Sequence, residues 1–429
     1  MKTASFHTLG CRLNQTESAL LAHQLKAQGY RVVEEKGGAD LCVINSCTVT
    51  GQTDQKVRQL VRNIQKNNPG AVIAVLGCFS QMSSEELLEI GGVDLILGTQ
   101  EKMKLVEYLG RLEPGEGPLV AVGPISKEEF TILQADQHLA LTRANLKIQE
   151  GCDFLCSFCI IPQARGRSRS RRFGDALSEA EALGQAGVKE LVLTGVNLGC
   201  FATEGQDFGA LLAALEEVPG IERLRISSIE PTTLGPEVFG PMKDPNRKLT
   251  PHLHLPLQAG SDVILKAMRR RYSAAEYRAF VLDAAAAVPG LGLGTDVMVG
   301  FPGETDADFQ ATYRLLEELP IQYFHVFPFA ERPGTRAASL GERVTPSVAT
   351  ERALALRELS DAKRAAFAQA QVGQLVSVLF ERNEGGNRYA GYTGNYLRVL
   401  AESEQDLGNQ IITVQITATQ GALAIGQLI

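Results

Sequence analysis

Short apolar runs alternate with segments of helical spacing along two stretches of this chain, and that alternation limits its fold more than any other feature. Up to about Leu112, strand-like runs fall at Ser5–Leu9, Asp40–Asn45, Ala71–Leu76 and Asp94–Leu97, and helical spacing at Glu17–Gln28, Thr53–Lys66 and Ser84–Ile90. Strands alternating with helices imply a parallel sheet with helices on its faces. The same alternation returns between about Ala140 and Ala370. Strand candidates there are Glu190–Thr194, Arg223–Ser227, His252–Pro256, Leu293–Val299 and Tyr323–Pro328, with helices such as Ser178–Gln185 and Ala307–Leu319 between them. An open or closed βα barrel is expected. The tail differs: Val376–Phe380, Tyr389–Tyr396 and Gln410–Thr417 are β-rich, with turns between them and no clear long helix. A small β-barrel of roughly 60 residues fits it. The expected fold class is therefore α/β with a β-barrel tail, divided into 1–112, a linker 113–139 whose first part is rich in Pro and Gly, 140–370, and 371–429. A length of 429 residues calls for more than one core.

The chain has no apolar run of the roughly 18 residues that a membrane span needs. Met1–Phe6 leads straight into a strand-like pattern, without a secretory core or cleavage site, so a cytoplasmic protein with no membrane partner is expected. Its eight cysteines then point to metal or catalysis rather than disulfides. A net charge of −7 argues against a purely electrostatic nucleic-acid binder, but leaves room for a local basic stripe.

Cys152, Cys156 and Cys159 are spaced C-x3-C-x2-C. Three thiolates can hold three corners of a four-iron cluster, leaving one iron open to a small molecule. Zinc is the alternative. It usually takes four ligands in C-x2-C pairs, and Cys200 is the only nearby fourth candidate, so the spacing favours the cluster. Cys11, Cys47 and Cys78 lie far apart in sequence, but each directly follows a predicted parallel strand. Residues just past the carboxyl ends of such strands line one edge of the sheet, so these three should converge. Cys42 lies inside a strand and reads as a small buried hydrophobe.

The run Lys147–Pro162, with Phe158 just before the third cysteine, closely resembles the signature of radical S-adenosylmethionine enzymes. That resemblance implies an open iron that chelates S-adenosylmethionine and, on reduction, cleaves it to a 5′-deoxyadenosyl radical. The segments Thr8–Ser18, Asn45–Thr50 and Gly77–Gln81 resemble the N-terminal domain of the methylthiotransferases, and the tail from Gln371 resembles the TRAM domain, a small RNA-binding β-barrel. Together these imply an N-terminal parallel α/β domain, a central partial βα barrel and a TRAM barrel. They also imply two [4Fe–4S] clusters, one on Cys152, Cys156 and Cys159 and one on Cys11, Cys47 and Cys78. One generates the radical and the other holds the sulfur or methylthio group. A second S-adenosylmethionine donates the methyl group, and an electron donor such as flavodoxin or ferredoxin is required. Replacing a strong C–H bond on an unactivated aromatic carbon is beyond any side-chain acid or base, which is why radical chemistry makes sense. The segments Thr8–Ser18, Gly151–Arg165 and Gly391–Tyr396 look most like the group acting on threonylcarbamoyladenosine in tRNA; Arg12 and Gln163 stand where that group usually has Lys and Tyr. The expected substrate is that nucleoside at position 37, in the tRNA anticodon loop, modified at C2.

No catalytic side chain is singled out beyond the cluster cysteines. Thr194, Gly195 and Asn197 end one βα strand and Glu230 follows a later one, while Asp296 and Met298 lie in a segment resembling the family's cofactor and substrate region. Barrel sites form at strand carboxyl ends, so all six are candidate cofactor contacts. His254 and Asp296 read equally well as hydrogen-bonded structural residues. Gly300 and Gly303 suit a turn better than chemistry. Arg165, Arg167, Arg169 and Arg171 form a basic run after the cysteine loop, read as RNA-phosphate contacts rather than a solvated face. Arg269–Arg271 is a second such run. Tyr389, Tyr392 and Tyr396 read equally as base-stacking residues and as barrel core. The other classes considered are an electron-transfer protein with two clusters, an RNA-binding protein with structural clusters, and methylthiotransferases for isopentenyladenosine tRNA or a ribosomal-protein aspartate.

Overall fold

The computed structural model describes residues 1–34, 38–48, 51–113, 116–132 and 142–429, with only the backbone of residues 51 and 52. The chain forms two compact units: Met1–Gln137 with Gln149–Arg171 and Ala330–Ala338, and His138–Ile148 with Arg172–Phe329 and Ser339–Ile429.

The first unit is built on β1 (Thr3–Thr8), β2 (Arg31–Val32), β3 (Leu41–Ser46), β4 (Val72–Gly77), β5 (Leu95–Leu97) and β6 (Leu119–Ala121). All neighbours pair in parallel, in the order β2-β1-β3-β4-β5-β6. Every residue of β3 is buried, because helices cover both faces of the sheet. Leu41 and Val43 pack with Leu21 and Leu25 of the helix Arg12–Ala27, whereas Cys42 and Ile44 pack with Val57 and Val61 of the helix Gly51–Asn67. Cys42 is thus a core residue. The order reverses between β1 and β3, and ligands of doubly wound sheets bind at such a reversal, outside the strand carboxyl ends. Within the stretch read as a linker, β6 extends the sheet. Its Leu119 and Ala121 pack against the same core as β5, a run too short to stand out between Pro and Gly. Residues 133–139 of that stretch lie outside the described residues.

The second unit carries six parallel strands in chain order. Arg143–Lys147, Glu190–Thr194 and Arg223–Ile226 form one sheet, and His252–His254, Gly292–Val299 and Tyr323–Pro328 another. Parallel bridges Leu224 to Leu249 and Ser228 to His254 join them into a partial βα barrel. The helix Pro346–Gln369 follows; Ser360 Oγ accepts from Phe324 N at 2.8 Å, fixing it to the last strand. The tail closes into a five-stranded barrel, in the order Leu375–Asn383, Arg388–Thr393, Arg398–Glu402, Leu423–Leu428, Ile411–Gln420. Tyr389 belongs to its core with Val378, Phe380 and Val414. Arg223 donates to Tyr392 O at 2.9 Å and Ser377 O at 2.8 Å, and Arg225 to Gly394 O at 2.8 Å, so two arginines of one βα strand seat the barrel.

Candidate active site

Both cysteine triplets lie in the first unit. Cys11 caps the helix after β1, Cys47 follows β3 and Cys78 follows β4. Glycine makes their approach possible. Gly10 has φ +107°, and a Cβ there would lie 2.4 Å from Cys47 Cβ and 2.7 Å from its Sγ. Gly77 has φ +99°, and a Cβ there would lie 2.7 Å from Ser46 O. Only glycine adopts such backbones so close to neighbouring atoms. Asn14 ties the loops by donating to Leu9 O at 2.7 Å and Ser46 O at 3.0 Å. Ser46 Oγ donates to Leu76 O at 2.5 Å and accepts from Phe79 N at 3.2 Å.

The second triplet sits on a tight loop of its own. Gly151 has φ +71°, and a Cβ there would lie 2.0 Å from Arg167 O. Cys152 N donates to Gly166 O at 3.1 Å, Phe154 N to Cys152 Sγ at 3.3 Å and Cys159 N to Cys156 O at 3.1 Å. The antiparallel pair Gln149–Glu150 and Arg169–Ser170 closes the loop at its base. Among the described residues, only His254, Asp296 and His325 bring three ligand atoms within 4.8 Å of one another. The donor sets of the two cysteine triplets, three thiols each, suit a multi-iron cluster that takes each thiolate on a separate iron and leaves one iron open.

A buried charge network lies beside these loops. Arg165, Glu17, Glu150, Lys102 and Arg169 are all buried. Arg165 meets Glu150 at 2.7 Å and Glu17 at 3.1 Å, Lys102 meets Glu17 at 2.6 Å, and Arg169 meets Glu150 at 3.2 Å. Burial opposes the charge of Arg165, but Cys78, Glu17, Glu150 and Cys11 outweigh it and hold its pKa well above the ordinary value. The charged Arg165 guanidinium beside Cys78 and Cys11 suits thiols that would bind metal as thiolates.

This burial corrects the reading of the basic run. Arg165 and Arg169 are held by carboxylates and Arg171 is fully buried, so none of the three presents its charge to solvent phosphate. Arg167 alone is open, with a half-exposed side chain 3.5 Å from Asp153. In the second run, Arg270 turns inward to pair with Glu230, leaving Arg269 and Arg271 exposed.

In the second unit the candidate residues gather at strand carboxyl ends. Thr194 is buried, and its Oγ1 has no hydrogen-bond partner among the described residues, which fits a site completed by a polar ligand. It ends its strand, with Gly195 next. Asn197 is buried and accepts from Thr233 Oγ1 at 3.0 Å. Burial raises the Glu230 pKa; Arg270 lowers it and Asp296 raises it further. Asp296 Oδ1 lies 3.2 Å from His325 Nδ1 and 3.6 Å from His254 Nε2, while His254 Nδ1 meets Ser228 Oγ at 2.8 Å. These four polar side chains come from four successive strands or strand ends. Met298 is half-buried near the end of the Asp296 strand, and its N donates to Gln258 O at 2.8 Å. Gly300 and Gly303 have φ +73° and +83° and form the following turn. Sequence reasoning missed His325, although a histidine inside the apolar run Tyr323–Pro328 was a usable signal. Tyr392 and Tyr396 stack on each other at 5.0 Å, with Arg143 over Tyr392 at 4.8 Å and Arg225 over Tyr396 at 4.8 Å.

Residues 3–98 match the Uncharacterized protein family UPF0004 model and residues 146–316 the Radical SAM superfamily model. The radical SAM match brings with it a [4Fe–4S] cluster and S-adenosylmethionine. The chain is 38% identical over 424 residues to "Threonylcarbamoyladenosine tRNA methylthiotransferase MtaB" of Bacillus subtilis (strain 168), covering 97% of this chain and 94% of that one. It is 36% identical to the protein of the same name from Aquifex aeolicus (strain VF5), covering 96% and 99%. Among solved structures it resembles the radical S-adenosylmethionine methyltransferase TsrM from Kitasatospora setae, with TM-score 0.54, 13% identity and coverage of 79% and 74%. At that identity the likeness speaks for the fold alone. No helix among the described residues is long and apolar enough to cross a membrane. The chain belongs to the radical S-adenosylmethionine methylthiotransferase family, beside the threonylcarbamoyladenosine tRNA methylthiotransferases.

Proposed function

We propose that this enzyme converts N6-threonylcarbamoyladenosine at position 37 of tRNA, 3′ of the anticodon, to its 2-methylthio derivative. The observation that carries the reading is the presence of two separate cysteine triplets in one compact unit. Cys152, Cys156 and Cys159 hold the cluster that works with S-adenosylmethionine, and Cys11, Cys47 and Cys78 hold a second [4Fe–4S] cluster. When bound, these groups supply hydrogen abstraction and the sulfur that replaces it, with a second S-adenosylmethionine as methyl donor. The chain's own residues orient and shield. Thr194, Gly195, Asn197, Glu230, Asp296 and Met298 serve the cofactor, and Arg167 with the tail barrel serves the RNA. The functional parts follow as 1–112, 113–139, 140–370 and 371–429. The enzyme works in the cytoplasm and draws electrons from a small carrier such as flavodoxin or ferredoxin.

The target base lies in a single-stranded loop, so it reaches a deep site at small unstacking cost. Its polar N6 substituent offers hydrogen-bond partners that an isopentenyl group lacks, and a pocket built for them rejects the apolar analogue. Purified enzyme offered both tRNA types should form the methylthio nucleoside on threonylcarbamoyladenosine. Product only on isopentenyladenosine tRNA, or only on a ribosomal-protein aspartate, refutes this substrate and leaves the reaction class intact. Reduced enzyme that releases neither 5′-deoxyadenosine nor methionine points instead to an electron carrier or a structural RNA binder.

A further inference from the structure

Every second side chain of a strand lies on one face. Tyr323, His325 and Phe327 therefore share a face of the last βα strand, Tyr323–Pro328, while Phe324 and Val326 are buried on the other. On the first face Tyr323 is buried, whereas the His325 side chain is 52% exposed and Phe327 is 49% exposed. The register fixes their height. Ser228, two residues past the end of the strand Arg223–Ile226, bridges to His254, His254 pairs with Gly294, and Gly294 pairs with Tyr323. Asp296 pairs with His325 and Met298 with Phe327, two and four residues further on. His325 and Phe327 thus lie beyond that strand end, on the carboxyl side where barrel sites form. They also lie beside Asp296 and Met298, which the reading above gives to the cofactor. A substrate attacked by a cofactor-derived radical is held against the cofactor, so these two open side chains are placed to meet it.

Asp296 Oδ1 lies 3.2 Å from His325 Nδ1. A carboxylate only accepts, so Nδ1 carries the hydrogen and Nε2 of the neutral ring is an acceptor. That Nε2 makes no hydrogen bond among the described residues. His254 Nε2 lies 3.6 Å from the same Asp296 oxygen, and Ser228 Oγ lies 2.8 Å from His254 Nδ1, so the carboxylate is braced within a polar row. Above it, Phe327 sets an exposed ring at the strand end, the kind of surface that marks a binding site.

The row favours one group of a threonylcarbamoyl substituent. It holds a carboxylate and no lysine or arginine, so it repels the carboxylate of that substituent. The N6–H is shared with isopentenyladenosine and does not discriminate. The second ureido N–H reaches ring N1 of its own base. The threonyl hydroxyl remains, a neutral donor that an isopentenyl group lacks. We propose that His325, oriented by Asp296, reads the N6 substituent of the target base, with Nε2 accepting from the threonyl hydroxyl and Phe327 forming the apolar wall beside it. The proposal rests on the threonylcarbamoyladenosine reading above and names the residue behind its selectivity.

The test uses full-length reconstituted enzyme, unreduced, and anticodon stem-loops carrying threonylcarbamoyl-, serylcarbamoyl-, glycinylcarbamoyl- or isopentenyladenosine at the target position. Dissociation constants are measured by fluorescence anisotropy for wild type and His325→Phe. Wild type should bind the threonyl and seryl RNAs alike and the glycinyl RNA, which has no hydroxyl, about fivefold more weakly, the scale of one hydrogen bond. His325→Phe should bind all three alike, at the wild-type affinity for the glycinyl RNA, the non-additivity expected of direct contact. His325→Leu is read in the same way, so the result does not hang on one substitution. Equal weakening of all three RNAs in both variants, or a threonyl–glycinyl difference that survives in them, overturns the contact and leaves the substrate reading standing. A seryl RNA bound by wild type as weakly as the glycinyl RNA would mean that the methyl group is read, and also overturns it. Wild type that prefers the isopentenyladenosine RNA overturns the substrate reading and this contact with it.

Discussion

Arg165 donates through Nη2 to Asn14 Oδ1 at 2.5 Å, fastening the loop that follows Cys159 to the helix that begins after Cys11. The same guanidinium meets Glu17 and Glu150, so one buried side chain spans both cysteine loops. Removing it leaves two buried carboxylates short of a partner. Arg165→Leu should destabilise the iron-free protein by about 3–5 kcal/mol, the usual cost of breaking a buried pair from one side. Urea denaturation under reducing conditions checks this, and an unchanged midpoint contradicts the role given to the network.

Gly10→Ala isolates the N-terminal triplet. The new methyl would meet Cys47 at a backbone angle that only glycine accepts readily. Reconstituted Gly10→Ala should hold about half the wild-type iron, close to one [4Fe–4S] set rather than two, and still cleave S-adenosylmethionine. Full iron loading would show that Cys47 and Cys11 need no such approach.

Glu190 gives a pH test in the second unit. Burial raises its pKa, but Arg225 at 2.7 Å, then Arg143 and Arg223, outweigh that and leave it below the ordinary glutamate value. The folded state therefore favours the charged form. That stability is present above the unfolded pKa of about 4.3 and is lost as pH falls toward the folded value. Glu190→Gln should cost about 3–5 kcal/mol at neutral pH, with the gap to wild type closing in acid. A gap that stays constant from neutral to acid pH would contradict the assignment.

Arg167 and Arg169 separate binding from folding. Arg167→Ala should lower the salt slope of tRNA binding by about one and leave thermal stability unchanged. Arg169→Ala should do the reverse, because its guanidinium is spent on Glu150 and Gln100. Equal effects on RNA affinity would return Arg169 to the RNA surface.

The parts of this fold legible in sequence were those whose pattern is local. The β3 and β4 runs are apolar because both sheet faces are covered, and Cys11, Cys47 and Cys78 were placed by the single rule that ligands gather past parallel strand ends. The Radical SAM loop was legible because its three cysteines lie close together in sequence. What failed depended on distant partners. Arg165 looks like surface charge until Glu17, far upstream, is brought beside it. Arg143–Lys147 carries charged ends, which hid a strand whose Ala144 and Leu146 are buried. The helix Pro346–Gln369 was obscured because its apolar residues serve both the last βα strand and, through Ala368, the tail core.

The central claim is that the two triplets divide the work, and one experiment addresses it. Wild type, Cys78→Ala and Cys156→Ala are each reduced with S-adenosylmethionine and threonylcarbamoyladenosine tRNA, and 5′-deoxyadenosine and methylthio nucleoside are quantified together by mass spectrometry. Wild type should give both products, Cys78→Ala only 5′-deoxyadenosine, and Cys156→Ala neither. Methylthio nucleoside from Cys78→Ala, or 5′-deoxyadenosine from Cys156→Ala, would contradict the division.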